Sequence, residues 1–213
     1  MGVKERQARH RDELREKILD AARELLVRDG VEQVSMRKIA KKINYTATTL
    51  FHHFPNKDAL LWAVCEADFL ALRRSFEKIA TIADPLERLR RMGAAYVSFA
   101  LEHPSHYRLM FMTPQLHQGN FESEKLHKGN PDQDAYAFLR ATVAAVIEAG
   151  LLCDEHKDAD LVAQIMWSGV HGVVALHLIM GNDTWLEWRP VETIASGVVE
   201  TMIAGMIRPG KRA

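Results

Sequence analysis

Apolar residues recur along this chain at spacings of three and four, and no stretch alternates long enough to make a strand, so the pattern is helical throughout. From about Asp12 to Arg28, Leu14, Ile18, Ala21, Ala22, Leu25 and Leu26 mark one face of a helix, which Asp29-Gly30 stops. Ser35 can cap a second helix whose buried side is Met36, Ile39, Ala40 and Ile43, leaving Arg37, Lys38, Lys41 and Lys42 outside. The pattern breaks at Ile43-Asn44-Tyr45, where Asn44 suits a turn because Asn tolerates positive φ. Thr46 can then cap a third helix, with Tyr45 and Leu50 at the two staple positions around it. These segments predict a three-helix unit with a small core of Ile18, Ala22, Leu25, Ile39, Ile43, Leu50 and Phe54. Residues 1–10 are charged and aperiodic, which predicts a mobile arm.

Pro55-Asn56 ends the third helix, and the periodicity predicts a long one from Lys57 to about Ile79 on Leu60, Leu61, Val64, Ala67, Phe69, Leu72 and Phe76. Asp84-Pro85 opens a helix over 86–102, His103-Pro104 stops it, and a short one follows over 105–112. Residues 113–130 read as a polar loop of unusual length. Three helices are expected after it, over 132–149, 159–180 and 190–207, punctuated by Gly150, Gly181 and Pro209-Gly210. The expectation is an all-α chain of about nine helices.

Composition refines this picture. With 213 residues and 47% hydrophobic content the chain can bury a substantial core. The formal net charge is zero, yet residues 1–60 carry 13 Lys+Arg against 9 Asp+Glu, a balance of +4, and the remainder carries −4. The basic excess therefore coincides with the three-helix unit. No apolar run is expected to reach the roughly 18 residues of a membrane span, and the charged start has no apolar core behind it, so a cytoplasmic protein is expected. Cys65 and Cys153 stand far apart in no metal-like spacing and read as buried free thiols.

Two short helices joined by a tight turn, the first cationic and the second opening in small hydroxyl residues, have the geometry of a helix-turn-helix reader of duplex DNA. The run from Arg15 to Leu60, with IL.AA..L....G, S.RKIA and TTLFHHF..K..L, resembles the amino-terminal domain of the tetracycline-repressor family of bacterial regulators. Asn44 stands where that family usually has Gly, and Phe51 where it usually has a Tyr able to donate to a phosphate. The resemblance implies a DNA-binding domain over 1–57 and an effector-binding and dimerisation domain over 58–213. Base reading would fall to Thr46, Ala47, Thr48 and Thr49 with Tyr45 beside them, and phosphate contact chiefly to Ser35, Arg37, His52, His53 and Lys57, with Phe51 in the same surface. His53 reads equally well as a packed structural residue.

In the second half, QIMWSGVHGVVALHL over 164–178 resembles the WHG-type carboxy-terminal domain of one branch of that family, as does EHPSHYRLMF over 102–111. Spacing of four puts Trp167 and His171 on one side of a helix. The resemblance to ligand-responsive regulators implies an effector pocket bounded by Phe69, Tyr96, Phe99, Met110, Phe111, Trp167 and His171, suited to a largely apolar small molecule; each of these residues taken alone reads as core. Small residues on the last two long helices (Ala163, Gly169, Gly172, Ala175, Ala195, Gly197, Ala204, Gly205) permit close helix approach, and in the resembled family those helices form the dimer interface. His103, His106, His117 and His127 invite a metal reading, but Pro104 intervenes and no Cys or paired carboxylate completes a site. No nucleophile elbow, phosphate loop or acid pair suggests catalysis, and no cofactor is expected. The reading is a homodimeric transcriptional regulator, a repressor released from its operator by a small molecule; the alternative is a helical small-molecule-binding protein or enzyme whose basic head makes protein contacts.

Overall fold

The computed structural model describes residues 2–113 and 127–209. His117 and most of the expected polar loop lie outside them, as does Gly210. Ten α-helices occur among the described residues: α1 Val3–Asp29, α2 Met36–Lys42, α3 Ala47–Phe51, α4 Lys57–Ser75, α5 Glu77–Ala80, α6 Pro85–Glu102, α7 Pro104–Met112, α8 Ala135–Glu148, α9 Ala159–Met180 and α10 Val191–Met206. Short 3₁₀ turns at Val31–Gln33 and Asp154–His156 complete the set, and the only extended pairing described is an isolated bridge between Leu152 and Ile207.

Two departures from the sequence expectation have local causes. The aperiodic start is helical from Val3, where a mobile arm was expected. Its Lys, Glu, Arg, Gln and Ala residues are good helix formers, and adding turns to an existing helix avoids the cost of nucleation. The helix expected over 57–79 is two. Ser75 Oγ donates back to the Leu72 carbonyl at 2.6 Å and the Phe76 amide bonds the Arg73 carbonyl, three residues back instead of four, so Glu77–Ala80 forms a separate turn and raises the count from nine to ten.

The chain divides into two compact units, and the division falls inside α4, after Asp68. The first comprises residues 1–68 with 105–123. Its core is the expected set, Ile18, Ala22, Leu25, Ile39, Ile43, Leu50 and Phe54, joined by Leu60 and Val64 of α4 and Leu109 of α7. A buried ionic group holds three of its helices. Asp68 of α4 is 0% exposed and accepts from Arg23 of α1 through Nε at 3.0 Å and Nη2 at 2.6 Å, while His106 Nδ1 of α7 lies 2.9 Å from the same carboxylate oxygen. Burial, with the Asp68 charge adding to it, pushes the neighbouring Cys65 thiol up to about 12.

The second unit comprises residues 69–104 with 124–213. In it α9 and α10 lie side by side, α6 packs on both, and α8 packs on α6 and α9. Glycine permits two of the close approaches: a Cβ on Gly93 would stand 2.9 Å from Val199 Cγ2, and one on Gly169 2.7 Å from the Met202 thioether. Asp84, Asp134 and Asp158 cap α6, α8 and α9 by accepting from two first-turn amides each. Arg73 stacks on the Phe138 ring at 4.4 Å and donates to the Pro131 carbonyl. α9 is long and apolar enough to cross a membrane by length and composition, with mean hydropathy 1.5, against the expectation that no run would be. Its Gln, Ser, Gly and His residues interrupt the apolar run without placing a charge in it.

Candidate nucleic-acid interface and the polar cluster of the helical unit

The turn between α2 and α3 is built by local chemistry. Ser35 Oγ accepts from the Lys38 amide and Thr46 Oγ1 from the Thr49 amide, so both expected caps form. Asn44 has φ 60°, the one positive value among the described non-glycine residues. Around it the Tyr45 amide donates to the Ala40 carbonyl at 2.9 Å and the Asn44 amide to that of Lys41, the paired bonds of a Schellman stop. An αL residue is what that stop requires, which is why Asn can replace Gly here.

The surface so formed presents the expected residues unequally. Ser35, Arg37, Tyr45, Thr46, Thr48, Phe51 and His52 are exposed. Ala47 is half-buried against the core, and the Thr46 and Thr49 hydroxyls lie 2.9 Å from each other. Thr48 stands outside that pair and has the freest hydroxyl of the group. Phe51 leaves half of its surface in solvent, 50% exposed, though it is a phenyl ring. His53 is half-buried with its ring 6.5 Å from that of Phe54; burial first, and then the charges of Arg11, Arg15 and His52, hold its pKa below the ordinary 6.5. It is therefore neutral at neutral pH, and any phosphate contact would be through a neutral N–H. Lys57 Nζ donates to the Val31 carbonyl, fixing the turn that leads into α2. That bond, between residues 26 apart, has no local signal in the sequence.

Of the residues expected to bound an effector pocket, the structure brings together Tyr96, Trp167 and His171. Trp167 Nε1 donates to the Tyr96 hydroxyl at 3.2 Å, and that hydroxyl lies 3.0 Å from His171 Nδ1. Desolvation lowers the His171 pKa, so the ring is neutral and Nδ1 can accept the Tyr96 proton, leaving the other proton on Nε2. Phe99 packs on His103 at 5.2 Å and Phe69 is half-buried on α4. Met110 and Phe111 belong to the first unit, Met110 fully buried and the Phe111 ring 5.0 Å from Tyr107. Sequence reading missed Tyr136. Its ring is 6.1 Å from Trp167, and its hydroxyl donates to Asp160, which Arg140 also binds at 2.8 Å, while Gln164 donates to that hydroxyl. The spacing Asp160, Gln164, Trp167, His171 places all four on one side of α9 and was the available signal. Among the described residues no three His, Cys, Asp or Glu side chains gather as metal ligands would.

Residues 18–64 match the family of bacterial regulatory proteins called tetR, and residues 89–188 match a tetracyclin repressor-like C-terminal domain. An HTH-type transcriptional regulator of Saccharopolyspora erythraea is 43% identical over 175 residues, a match covering 76% of this chain and 68% of that one. The chain belongs to the tetR family. An uncharacterized HTH-type regulator of Haemophilus influenzae is 35% identical over 94 residues, 44% of this chain, and the match spans 50% of that relative's length. Among solved structures, a protein with unknown function from Rhodococcus sp. RHA1 is similar with a TM-score of 0.73 at 25% identity, over 92% of this chain and 96% of that one. This tetR-family chain is accordingly a DNA-binding transcription regulator.

Proposed function

We propose that this tetR-family protein is a cytoplasmic homodimeric repressor, released from its operator by a small, largely apolar ligand. The observation that carries the dimer is the outward face of α9 and α10. Leu161, Ile165, Ser168, Gly172, Leu176 and Ile179 recur at spacings of three and four along α9, and Ile179 is 72% exposed. Beside them α10 turns Gly197, Thr201, Ala204 and Gly205 outward. A Cβ at Gly172, Gly197 or Gly205 would meet nothing within 4 Å in this chain, whereas Gly93 and Gly169 are used up in packing within it. Aliphatic ends with a small-residue centre and no charge in the stripe fit a second copy laid across it, burying surface worth roughly 25 cal/mol per Å². Two heads would then meet two half-sites about one helical turn apart.

In this reading residues 1–57 contact the DNA and 58–213 bind effector and partner. Thr46, Ala47, Thr48 and Thr49 face the bases, with Thr48 the principal hydroxyl, and the exposed Phe51 ring suits a thymine methyl or sugar in place of a phosphate. Ser35, Arg37, His52 and Lys57 hold phosphates, Lys57 with the donors that Val31 leaves over. Because no Arg or Asn opens α3, a good part of the specificity rests on duplex shape. The Tyr96, Trp167 and His171 cluster orients a polar group of an otherwise apolar ligand, and α4, continuous from Lys57 to Ser75, carries a coupling of roughly 1 to 3 kcal/mol to the head. Native mass spectrometry of the purified protein tests the reading: a dimer is expected, with any co-purified small molecule lowering affinity for DNA upstream of the protein's own coding region. A monomer at micromolar concentration would end the dimer proposal, and a bound molecule without effect on DNA affinity would end the release proposal.

A further inference from the structure

α1 runs well past the core it braces. Its later turns bury Ile18, Leu19, Ala22, Leu25 and Leu26, whereas residues 4–13 are exposed on every side, so no apolar packing accounts for the first turns. One side of those turns carries cations and no acid, while the other sides, with Arg6, Arg9 and Lys17, mix both charges. At about 100° per residue, Lys4, Arg11 and Arg15 fall within about 40° of the side defined by Ile18 and Ala22, the side packed on the helix-turn-helix. The acids between residues 2 and 20, namely Glu5, Asp12, Glu13, Glu16 and Asp20, all fall on the rest of the circumference. The same cationic side runs into the end of α3. The Arg15 guanidinium lies 5.3 Å over the Phe54 ring, and Arg11 and Arg15 are both near enough to act on His53. Arg15 has Glu16 at 3.6 Å, but no ion pair engages Lys4 or Arg11 among the described residues.

We propose that the first turns of α1 are a second phosphate-binding element, with Lys4 and Arg11 gripping the backbone of the duplex beside the segment that α3 enters. Like charges gathered on one side of a helix repel unless an anion lies against them, and the anion nearest to hand is the DNA that the helix-turn-helix already holds. At 1.5 Å per residue Lys4 stands about 10 Å beyond Arg11 along α1, far enough for the two side chains to meet different phosphates. Both are single cations on flexible stems meeting a repeating backbone, so they add affinity and register without sequence preference.

The test uses the full chain, fluorescence anisotropy, and two duplexes: the DNA upstream of the coding region and a random sequence of equal length. Each phosphate contact contributes about 0.9 to the slope of log affinity against log salt, and a dimer carries each substitution twice, so Lys4→Ala/Arg11→Ala should make the slope shallower by about 3.6 between about 50 and 200 mM salt, on both duplexes alike. Arg6→Ala/Arg9→Ala removes the same charge from the opposite side and is expected to change the slope by less than about 0.5. All four residues are exposed, so far-UV circular dichroism should be unchanged. Equal effects of the two pairs would reduce the matter to net charge and overturn the proposal, as would an unchanged slope for Lys4→Ala/Arg11→Ala. Failure of the unaltered protein to bind either duplex would instead sink the DNA reading on which the proposal rests, and shows before any substitution is made.

Discussion

Asp68 is expected to be the most sensitive polar residue of the first unit. Its carboxylate is fully buried and meets Arg23 of α1, itself nearly enclosed, and His106 of α7. Asp68→Ala leaves the Arg23 guanidinium with only the exposed Asp20, which it bonds through Nη1 at 2.6 Å, and removes the joint among α1, α4 and α7. Removing one partner of a buried pair costs about 3 to 5 kcal/mol, chiefly because the surviving charge stays buried. For a chain of this size each kcal/mol moves Tm by about 2 to 4 °C, so a fall of roughly 6 to 20 °C is expected. Replacing both charges with apolar residues of similar volume, Arg23→Met with Asp68→Leu, should recover most of the loss, since no charge is then stranded. Urea unfolding followed by circular dichroism measures all the variants, and the double-substitution cycle isolates the pair. A loss below about 1 kcal/mol for Asp68→Ala, or a double variant no better than the sum of the singles, would refute the claim that a buried charge pair joins these helices.

Three further outcomes follow from the geometry. Asn44→Ala should cost about 1 kcal/mol in urea unfolding because the Schellman stop needs φ near 60°, whereas Asn44→Gly should be neutral or stabilising; equal losses would show that the Asn side chain, and not the backbone, makes the turn. Burial holds the folded His171 pKa below 6.5, so above that value neither state is protonated, and below it the unfolded state takes up the proton first. Stability should therefore fall as pH drops from 6.5 through the folded pKa, and His171→Gln should lessen the fall in Tm between neutral and mildly acid buffers; an undiminished fall would remove His171 from its causes. Gly172→Phe should weaken the proposed dimer at least about ten-fold, roughly 1.4 kcal/mol, without loss of helicity, and a sedimentation profile matching that of the unaltered dimer would count against the α9 face.

How far the sequence could be read depended on the range of the interactions. The helix-turn-helix was legible because Ser35, Asn44 and Thr46 act on amides and carbonyls within five residues, and each residue type has few other reasons to stand there. The first unit's core was legible for the same reason, since its members repeat at helical spacing. The start of α1 was misread because the absence of an apolar face was taken as the absence of a helix, and Lys, Glu, Arg and Gln sustain a helix already begun. The break at Ser75 turned on a hydroxyl bonding backwards, which periodicity does not register. Tyr136 and the Lys57 bond to Val31 joined residues distant in sequence, and neither Tyr nor Lys announces such a partner. On α9 the Trp167 and His171 pairing was visible, but its meeting with Tyr96, 71 and 75 residues away, was only implied by resemblance.

The most direct test of the account is a titration of DNA upstream of the coding region against a random duplex of equal length, with the number of protomers per duplex counted by native mass spectrometry at physiological salt. The account predicts two protomers on each specific site and binding at least about 10³ times tighter than to random duplex. One protomer per site, or equal affinity for the two duplexes, would contradict it.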